Sequence, residues 1–240
     1  MSVQTEPLSG ARLMDRIYRH QRHVYDLTRR HYLLGRDRLI DGLRPAPGSR
    51  VLEIGCGTAR NLVQAARRYP TVEFYGIDIS LEMLETARRA VVREGLTAHI
   101  QLAQGDATRF DPILLFGVPG FARIFVSYSL SMIPQWSAVL TMARSWLAPD
   151  GELHIVDFGG QERLPAAFRV LLRGWLRHFH VQPRDGLEAE LMRLGLPFRL
   201  ERPFRGYAQY AVARRQDRFP HGPSDAGTLA RPLASHVGRC

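Results

Sequence analysis

The 240-residue sequence contains no lysine and only one asparagine, Asn61, so each of its 33 basic residues is an arginine. Lysine and asparagine share A-rich codons, and we therefore interpret their scarcity mainly as genomic base bias. This bias weakens the net charge of +10 as an indication of nucleic-acid binding. It also makes the one retained asparagine a candidate for a specific role, because glutamine, serine or aspartate would be easier to encode.

Several other signals are missing from the sequence. The two cysteines, Cys56 and Cys240, make no disulfide framework. The N-terminus lacks the apolar core of a signal peptide, and the longest apolar stretch, 113–122, is too short to span a bilayer. We find no zinc-finger spacing, glycine-rich RNA-binding strand or helix-turn-helix. We expect a cytoplasmic protein with no nucleic-acid partner, whose arginine-rich surface suits the anionic inner face of a membrane.

Short apolar strands alternate with amphipathic helices along most of the chain. One helix is predicted at 81–94 with Ser80 as its cap, and a turn is predicted at 149–151. Strands are predicted at 50–54, 72–78, 99–104, 123–129 and 152–158, with a closing hairpin at 198–204 and 206–215. This alternation predicts an α/β fold with a Rossmann-like, doubly wound, mostly parallel seven-stranded sheet. The predicted organisation is an N-terminal helical segment at 1–44, a main domain at 45–215 with a cap insertion at about 160–197 between strands 5 and 6, and a disordered tail at 216–240.

The strongest functional signal is the run VLEIGCGTARN at 51–61, where a buried strand ends in a glycine-rich turn and a helix begins. Gly55 and Gly57 let the backbone approach a ligand where a Cβ atom would collide. A dinucleotide fingerprint requires a third glycine, but Arg60 occupies that position. Glu53 favours a different ligand, because an acid there binds a cationic amino group and repels a pyrophosphate.

This run resembles the first motif of the class I S-adenosylmethionine-dependent methyltransferases, E/D-x-G-x-G-x-G, with Ala59 in place of the last glycine. The resemblance implies that Asp78 binds the ribose hydroxyls and that Ile79 and Met83 line the adenine. The implied cofactor is S-adenosyl-L-methionine, converted to S-adenosyl-L-homocysteine, and no metal is expected. The implied cofactor-binding residues are Glu53, Gly55, Cys56, Gly57, Thr58, Asn61, Asp78, Ile79, Met83, Asp106, Ala107 and Ser127.

The N-terminal segment YRHQRHVYDLTRRHYLLGR, 18–36, places three tyrosines seven residues apart with arginines between them. On one helix of about 3.6 residues per turn they share a narrow arc, although we expect a break at Gly35. Aromatic rings stabilise a methylated cation and arginines bind a carboxylate, so this face suits an amino-acid headgroup. A solvated amphipathic helix is the alternative. Candidate catalytic residues are Tyr18, His20, Tyr25, Tyr32 and Arg36, and the candidate general bases are His20, His23 and Tyr18.

The segments 23–40 and 173–184, together with EIGCGTARN, resemble betaine-lipid synthases of the diacylglyceryl-homoserine N-methyltransferase type. The resemblance implies three successive methyl transfers to the α-amine of diacylglyceryl-homoserine, and a second enzyme that attaches homoserine to diacylglycerol. Phosphatidylethanolamine N-methylation and quinone C-methylation on the same fold remain alternatives. A nucleic-acid-binding methyltransferase-like protein and a non-catalytic binding module are alternatives of another class.

The apolar segment 164–180 carries Arg169, Arg173 and Arg177 at four-residue steps. This pattern suits a helix that caps the acceptor pocket and contacts the bilayer. An ordinary packed cap helix fits the pattern equally well. From it we expect peripheral membrane association, which would let a two-chain lipid present its headgroup.

Overall fold

The computed structural model describes residues 33–178 and 181–216, which form one sheet flanked by helices. The strands are β1 (Arg50–Ile54), β2 (Glu73–Asp78), β3 (Ile100–Gln104), β4 (Phe121–Ser127), β5 (Leu147–Phe158), β6 (Phe198–Glu201) and β7 (Ala208–Arg214). The helices are α1 (Arg36–Leu43), α2 (Arg60–Arg68), α3 (Leu81–Arg93), α4 (Pro112–Phe116), α5 (Trp136–Trp146), α6 (Ala166–His178) and α7 (Leu187–Arg193). Short 3₁₀ turns lie at Leu130–Met132 and Phe204–Gly206.

The sheet confirms the predicted Rossmann-like architecture. Its seven strands lie in the order β3-β2-β1-β4-β5-β7-β6. Strands β1 to β5 are parallel, whereas β7 lies antiparallel between β5 and β6. Parallel pairing requires crossover connections, and the helices between the strands supply them. The hairpin predicted near the C-terminus closes one edge of the sheet, and α6 and α7 lie between β5 and β6 in the chain.

The sheet has a topological switch point beside β1. Ile54, the last residue of β1, pairs with Ile77 of β2 on one side and with Val126 of β4 on the other. From β1 the chain runs outward to β3 and then returns to the opposite side of β1 to form β4. In open parallel sheets a ligand crevice lies beyond the carboxyl ends of the strands at such a point. The fold therefore directs attention to the loops after β1 and β4.

Helices cover both faces of the sheet. On one face, Val51, Phe74 and Phe125 belong to a buried cluster that includes residues of α1, α2, α3 and α6. On the other face, Leu52 and Tyr75 belong to a cluster with residues of α5 and α7. Burial of each such side chain contributes roughly 1.5–3 kcal/mol relative to exposure. The alternation of these side chains along each strand produces the three layers.

Two helix starts show how local signals position the loops. Ser80 caps α3, as predicted, because its hydroxyl accepts a hydrogen bond from the Met83 backbone at 3.3 Å. The sequence analysis missed α4, which begins with Asp111 accepting from the Ile113 backbone at 2.8 Å and with Pro112 in the first turn. A cap residue followed by proline is a recognised start signal, so this helix could have been predicted.

Strand β5 begins earlier than predicted. Leu147 already pairs with Phe121 of β4, and the register shifts before Arg123 pairs with Glu152. The predicted turn at 149–151 lies within this irregular section, where Asp150 has a φ of 58°. Pairing with β4, which is remote in sequence, therefore extends the strand across a local turn signal.

The predicted break at Gly35 is confirmed, because Gly35 has a φ of 89° and α1 starts at Arg36. The narrow arc expected on one helix therefore does not extend through Gly35 to Arg36. Residues 1–32 and 217–240 lie outside the described residues, so the N-terminal segment and the tail stay predictions. Within the described ranges, no helix is long and apolar enough to cross a membrane.

Candidate active site

The glycine-rich turn connects β1 to α2 at the switch point. The backbone amides of Gly55 and Cys56 both donate to the Ile77 carbonyl, at 2.9 and 3.0 Å. Gly55 has a φ of 71°, and a Cβ atom there would lie 2.6 Å from the Cβ of Ser129. Glycine is thus required at position 55, because the loop after β4 packs directly against it.

Gly57 faces a different environment. Its φ is 54°, and a Cβ atom there would have no heavy atom of the described residues within 4 Å. Its amide donates to Asp78 Oδ2 at 2.8 Å, which joins the turn to the end of β2. The backbone is therefore open on this side, as close approach of a ligand requires.

Ala59 occupies the position of the last glycine in the family motif. It has a φ of 60°, is fully buried and precedes the first turn of α2. Alanine thus retains a glycine-like backbone conformation, at a cost of roughly 1–2 kcal/mol. The departure from the motif leaves the course of the turn unchanged.

Glu53 and Asn61 form a buried polar pair beneath this turn. Asn61 Nδ2 donates to Glu53 Oε1 at 2.7 Å. Glu53 Oε2 and Asn61 Oδ1 are buried and have no hydrogen-bond partner among the described residues. Burial raises the pKa of Glu53 to about 8, although the hydrogen bond from Asn61 and the positive charge of Arg36 act to lower it. Two buried acceptor atoms therefore remain available to a cationic group.

Asp78 ends β2 beside the glycine turn. Its second oxygen, Oδ1, accepts from the Ser80 backbone at 2.9 Å, so the carboxylate is fixed between two loops. Met83 follows in the first turn of α3 and is buried, whereas Ile79 is partly exposed. The contacts of Asp78 with the ribose and of Ile79 and Met83 with the adenine stay predictions.

The third loop carries Asp106 and Ala107, after β3. Asp106 Oδ1 accepts from the Thr108 backbone at 2.9 Å and from its hydroxyl at 2.7 Å, and Oδ2 contacts Arg109 at 3.1 Å. Partial burial acts to raise the pKa of Asp106, but these hydrogen bonds and the charge of Arg109 together hold it below its usual value. The carboxylate therefore stabilises its own loop.

The loop after β4 brings polar groups toward the glycine turn. Ser127 Oγ is buried without a partner in the described part of the chain, and Ser129 Oγ donates to the Ile54 carbonyl at 3.1 Å. Tyr128 has a φ of 57°, which is strained for a bulky residue. Its hydroxyl donates to the Leu34 carbonyl at 2.5 Å, so the loop is attached to the segment that precedes α1.

Among the catalytic candidates, only Arg36 lies within the described residues. It is buried at the start of α1, and its charge acts to lower the pKa of both Glu53 and Tyr128. Arg36 is therefore within electrostatic range of the glycine turn. Tyr18, His20, Tyr25 and Tyr32 lie outside the described residues. Of the remaining turn residues, Cys56 is buried, which raises the pKa of its thiol, and Thr58 is partly exposed.

Asp157, at the carboxyl end of β5, is a buried acid that the sequence analysis did not single out. It accepts from the backbone amides of Ser131 and Phe158 at 3.0 and 2.7 Å. Burial raises its pKa to about 6, against these hydrogen bonds and the charge of Arg184. Its position at the end of a predicted strand was a usable signal.

Arg184 and Gln161 were also missed. The Arg184 guanidinium donates to the carbonyls of Leu130 and Ile133 at 3.0 and 2.8 Å, so the segment after α6 holds the loop after β4. Gln161 is fully buried in the loop after β5. Arg184 ends the segment 173–184 on which the family resemblance rests, whereas Gln161 belongs to no recognisable motif, and only the fold brings both to this edge.

An open depression lies at the opposite end of the sheet and is lined by Asp41, Arg44, Arg67, Arg68 and Tyr69. Arg68 pairs with Asp41 at 2.8 Å, and Arg67 pairs with Glu94. Two of its three arginines are thus paired with carboxylates, and the depression lies away from the glycine turn. Within 33–178 and 181–216, no group of three or more His, Cys, Asp or Glu side chains could hold a metal ion.

The seven-stranded topology, together with the glycine turn at its switch point, defines a Rossmann-like methyltransferase fold. A family model described as a methyltransferase domain matches residues 51–151. The chain is 33% identical over 144 residues to a phosphatidylethanolamine N-methyltransferase of Cereibacter sphaeroides, a match that covers 57% of this chain and 68% of that protein. The chain belongs to the class I S-adenosylmethionine-dependent methyltransferases.

Other relatives differ in their acceptors. A demethylmenaquinone methyltransferase of Lactobacillus johnsonii is 26% identical over 62% of this chain, which spans 57% of that protein. Among solved structures, phosphoethanolamine N-methyltransferase 2 of Haemonchus contortus, in complex with S-adenosyl-L-methionine, has a TM-score of 0.60 at 18% identity. That match covers 76% of this chain and 52% of the other. At this identity the likeness shows the fold alone.

Proposed function

We propose that this methyltransferase transfers methyl groups to the amino group of a lipid headgroup, and that its acceptor is diacylglyceryl-homoserine, methylated three times to the betaine lipid. The observation that supports amine methylation best is the relationship to the Cereibacter sphaeroides enzyme. Its name states that it methylates the nitrogen of phosphatidylethanolamine, a lipid. The N-terminal and cap segments that resemble betaine-lipid synthases favour homoserine as the headgroup.

The buried pair of Glu53 and Asn61 fits the proposed cofactor. S-adenosyl-L-methionine, when bound, supplies a methyl group on a sulfonium, which is an activated donor. Its ammonium needs acceptor atoms, and Glu53 Oε2 and Asn61 Oδ1 are two buried acceptors without partners among the described residues. The open side of Gly57 would accept the body of the ligand, and Asp78 is proposed to accept hydrogen bonds from the ribose hydroxyls. These residues bind and orient, which is most of what this reaction asks of a protein.

The acceptor amine must lose a proton before each attack on the methyl carbon. His20, His23 and Tyr18 stay candidates for the base, alone or through a water molecule. Arg36, buried near Glu53, is proposed to bind the headgroup carboxylate. Such an acceptor must be supplied by an enzyme that attaches homoserine to diacylglycerol.

A lipid acceptor also requires access to a membrane surface. On α6, three apolar side chains are exposed on one side of the helix: Phe168 (50%), Leu171 (71%) and Trp175 (37%). We call these residues the apolar strip of α6. The adjoining Arg173 and Arg177 are exposed as well. An apolar strip flanked by arginines suits an anionic leaflet, and we propose peripheral binding through this helix.

The proposal is tested by incubating the purified protein with radiolabelled S-adenosyl-L-methionine and one acceptor at a time. The acceptors are diacylglyceryl-homoserine, phosphatidylethanolamine, a demethylated menaquinone and RNA, with the lipids in mixed micelles. We expect label in mono-, di- and trimethylated forms of the homoserine lipid. Transfer to phosphatidylethanolamine instead would establish the second candidate, which the 33% identical relative favours. Label in the quinone or RNA alone, or in no acceptor, would refute amine methylation of a lipid.

A further inference from the structure

We propose that Gln161 binds the headgroup of the methyl acceptor, its amide accepting from the amine and donating to the headgroup anion. This inference rests on the proposed function and adds a residue to the acceptor side of the site. Gln161 lies in the loop after β5, and β5 pairs with β4, which in turn pairs with β1. The loop therefore opens on the carboxyl edge that carries the glycine turn.

The side chain of Gln161 is buried and has no hydrogen-bond partner among the described residues. Its relative exposure is 0%, and within the described ranges neither Nε2 nor Oε1 is hydrogen-bonded. A buried primary amide that leaves both its donor and its acceptor unused is costly, and such groups point to a ligand. The residue also has a φ of 61°, a second cost for a residue that is not glycine.

Holding the loop together does not require this amide. The Gln161 backbone amide donates to the Gly206 carbonyl at 2.9 Å, and its carbonyl accepts from the Leu164 amide at 3.2 Å. Arg173 donates to the Gly160 carbonyl at 2.8 Å and anchors the preceding residue to α6. Backbone hydrogen bonds and Arg173 thus fix the loop, so the side chain is left for another role.

Aromatic rings border the same loop. The Phe158 ring packs edge-on against Tyr128, with centroids 4.8 Å apart, and against Tyr207 at 5.8 Å. The Gly159 amide donates to the Tyr207 carbonyl at 2.9 Å, which joins this aromatic group to the Gln161 loop. Aromatic surface stabilises an amine that becomes a fixed cation on methylation. The loop therefore combines a neutral amide with an apolar, cation-tolerant wall.

The chemistry of an amide defines the class of headgroup. Oε1 accepts from an amine N–H, and Nε2 donates to a carboxylate or phosphate oxygen. A zwitterionic amine headgroup offers both partners, whether it belongs to a homoserine lipid or to phosphatidylethanolamine. Each methyl transfer replaces an N–H of the amine with an N–CH3. The Gln161 Oε1 atom therefore loses the N–H donors that it accepts from as the product forms. Gln161 is therefore expected to favour the unmethylated acceptor over the dimethylated intermediate.

The test compares wild type with Gln161→Met, which keeps the length of the side chain but removes both hydrogen-bonding atoms. KM is measured for the unmethylated and the dimethylated acceptor, and S-adenosyl-L-homocysteine affinity is measured by calorimetry. We expect KM for the unmethylated acceptor to rise about tenfold or more, and for the dimethylated acceptor by clearly less. Cofactor-product affinity and melting temperature should stay close to those of wild type.

A matched control is Gln209→Met. Gln209 is buried too, but its Nε2 donates to the carbonyls of Phe158 and Arg184 at 3.0 and 3.1 Å. This variant should melt at a lower temperature, and the ratio of the two KM values should not change. The inference is overturned if Gln161→Met leaves both KM values unchanged, raises them equally, or behaves like Gln209→Met. Wild type that methylates no lipid amine refutes the proposed function and this inference with it.

Discussion

At the residue scale, the proposed cofactor-binding role of Glu53 predicts that cofactor binding is linked to a proton. With a pKa of about 8 in the ligand-free protein, its carboxyl keeps a proton at neutral pH. A bound ammonium favours the carboxylate, so binding should release that proton. We predict that the affinity for S-adenosyl-L-homocysteine rises between about pH 6 and pH 8. Calorimetry in buffers of different ionisation enthalpy would detect the released proton.

Two variants sharpen this prediction. Glu53→Gln should lose roughly tenfold to hundredfold in affinity at pH 8, because a charged hydrogen bond is removed, and should lose the pH dependence. Asn61→Leu removes the hydrogen bond that acts to lower the pKa of Glu53, so its binding curve should shift to higher pH. An affinity of wild type that is constant from pH 6 to pH 8 would contradict the assignment.

The sequence revealed the residues of this site unevenly. The spacing of Glu53, Gly55 and Asp78 along strand–turn–helix units was sufficient to predict their neighbourhood. Asn61 could be singled out, but its hydrogen bond to Glu53 depends on how α2 leaves the turn. Asp157 and Gln161 belong to no motif and reach the edge only through the pairing of β5 with β4 and β7.

At the element scale, the apolar strip of α6 makes the proposed membrane contact testable. Leu171→Glu places a charge at a position that is 71% exposed, so we expect weaker binding to anionic vesicles with little change in melting temperature. Val92→Glu on α3 is the matched control, since Val92 is 65% exposed on a different helix. Flotation at low salt measures both.

The outcomes of this flotation experiment separate clearly. Loss of binding in Leu171→Glu, but not in Val92→Glu, would support docking through α6. Equal binding of wild type and both variants would exclude α6 as the docking helix. Wild type that stays in the soluble fraction would argue against membrane docking altogether.

Elements with strong local signals were predicted well. β1 has the predicted bounds, and α3 begins after its predicted cap, Ser80. The misses have physical causes. Helix α4 is only five residues long, too short for a helical period to emerge. The early start of β5 comes from its pairing with Phe121, a contact that no local pattern encodes.

At the scale of the whole molecule, two buried acids should make the ligand-free protein less stable as the pH rises. The pKa of Glu53 is raised from 4.5 to about 8, and that of Asp157 from 3.8 to about 6. The folded state therefore binds more protons than the unfolded state, so this stability is greatest below the unfolded pKa and declines up to the folded pKa. The pKa values of Asp106 and Glu152 are lowered, by hydrogen bonds from Thr108 and His154 respectively, so these two acids act in the opposite direction.

Melting curves test this prediction. Between pH 6 and pH 8, ionisation of Glu53 should lower the free energy of unfolding of wild type by about 2 kcal/mol. This corresponds to a fall on the order of 5 °C in melting temperature. Glu53→Gln should remove most of this decline. Asp157→Asn should leave this decline in place. The loss of stability caused by Asp157 has mostly occurred by about pH 6, since its folded pKa is about 6. A decline of equal size in wild type and Glu53→Gln would show that other groups cause it.

The fold as a whole was predictable because the alternation of strands and helices admits few topologies. The acceptor stays a prediction from the family resemblance, since the residues proposed to recognise it come from distant parts of the chain. The class of the enzyme follows from the fold and its relatives. The identity of its substrate requires the assays above.

The hydrogen bond from Tyr128 to the Leu34 carbonyl has an evolutionary consequence. The tyrosine hydroxyl donates to a main-chain oxygen, and every amino acid has one. Almost any residue at position 34 therefore preserves this hydrogen bond. Residues upstream of this point can therefore change in evolution without loss of the hydrogen bond at Leu34. Under the proposed function, a leading segment that binds the acceptor is free to diversify while the cofactor-binding half stays constant.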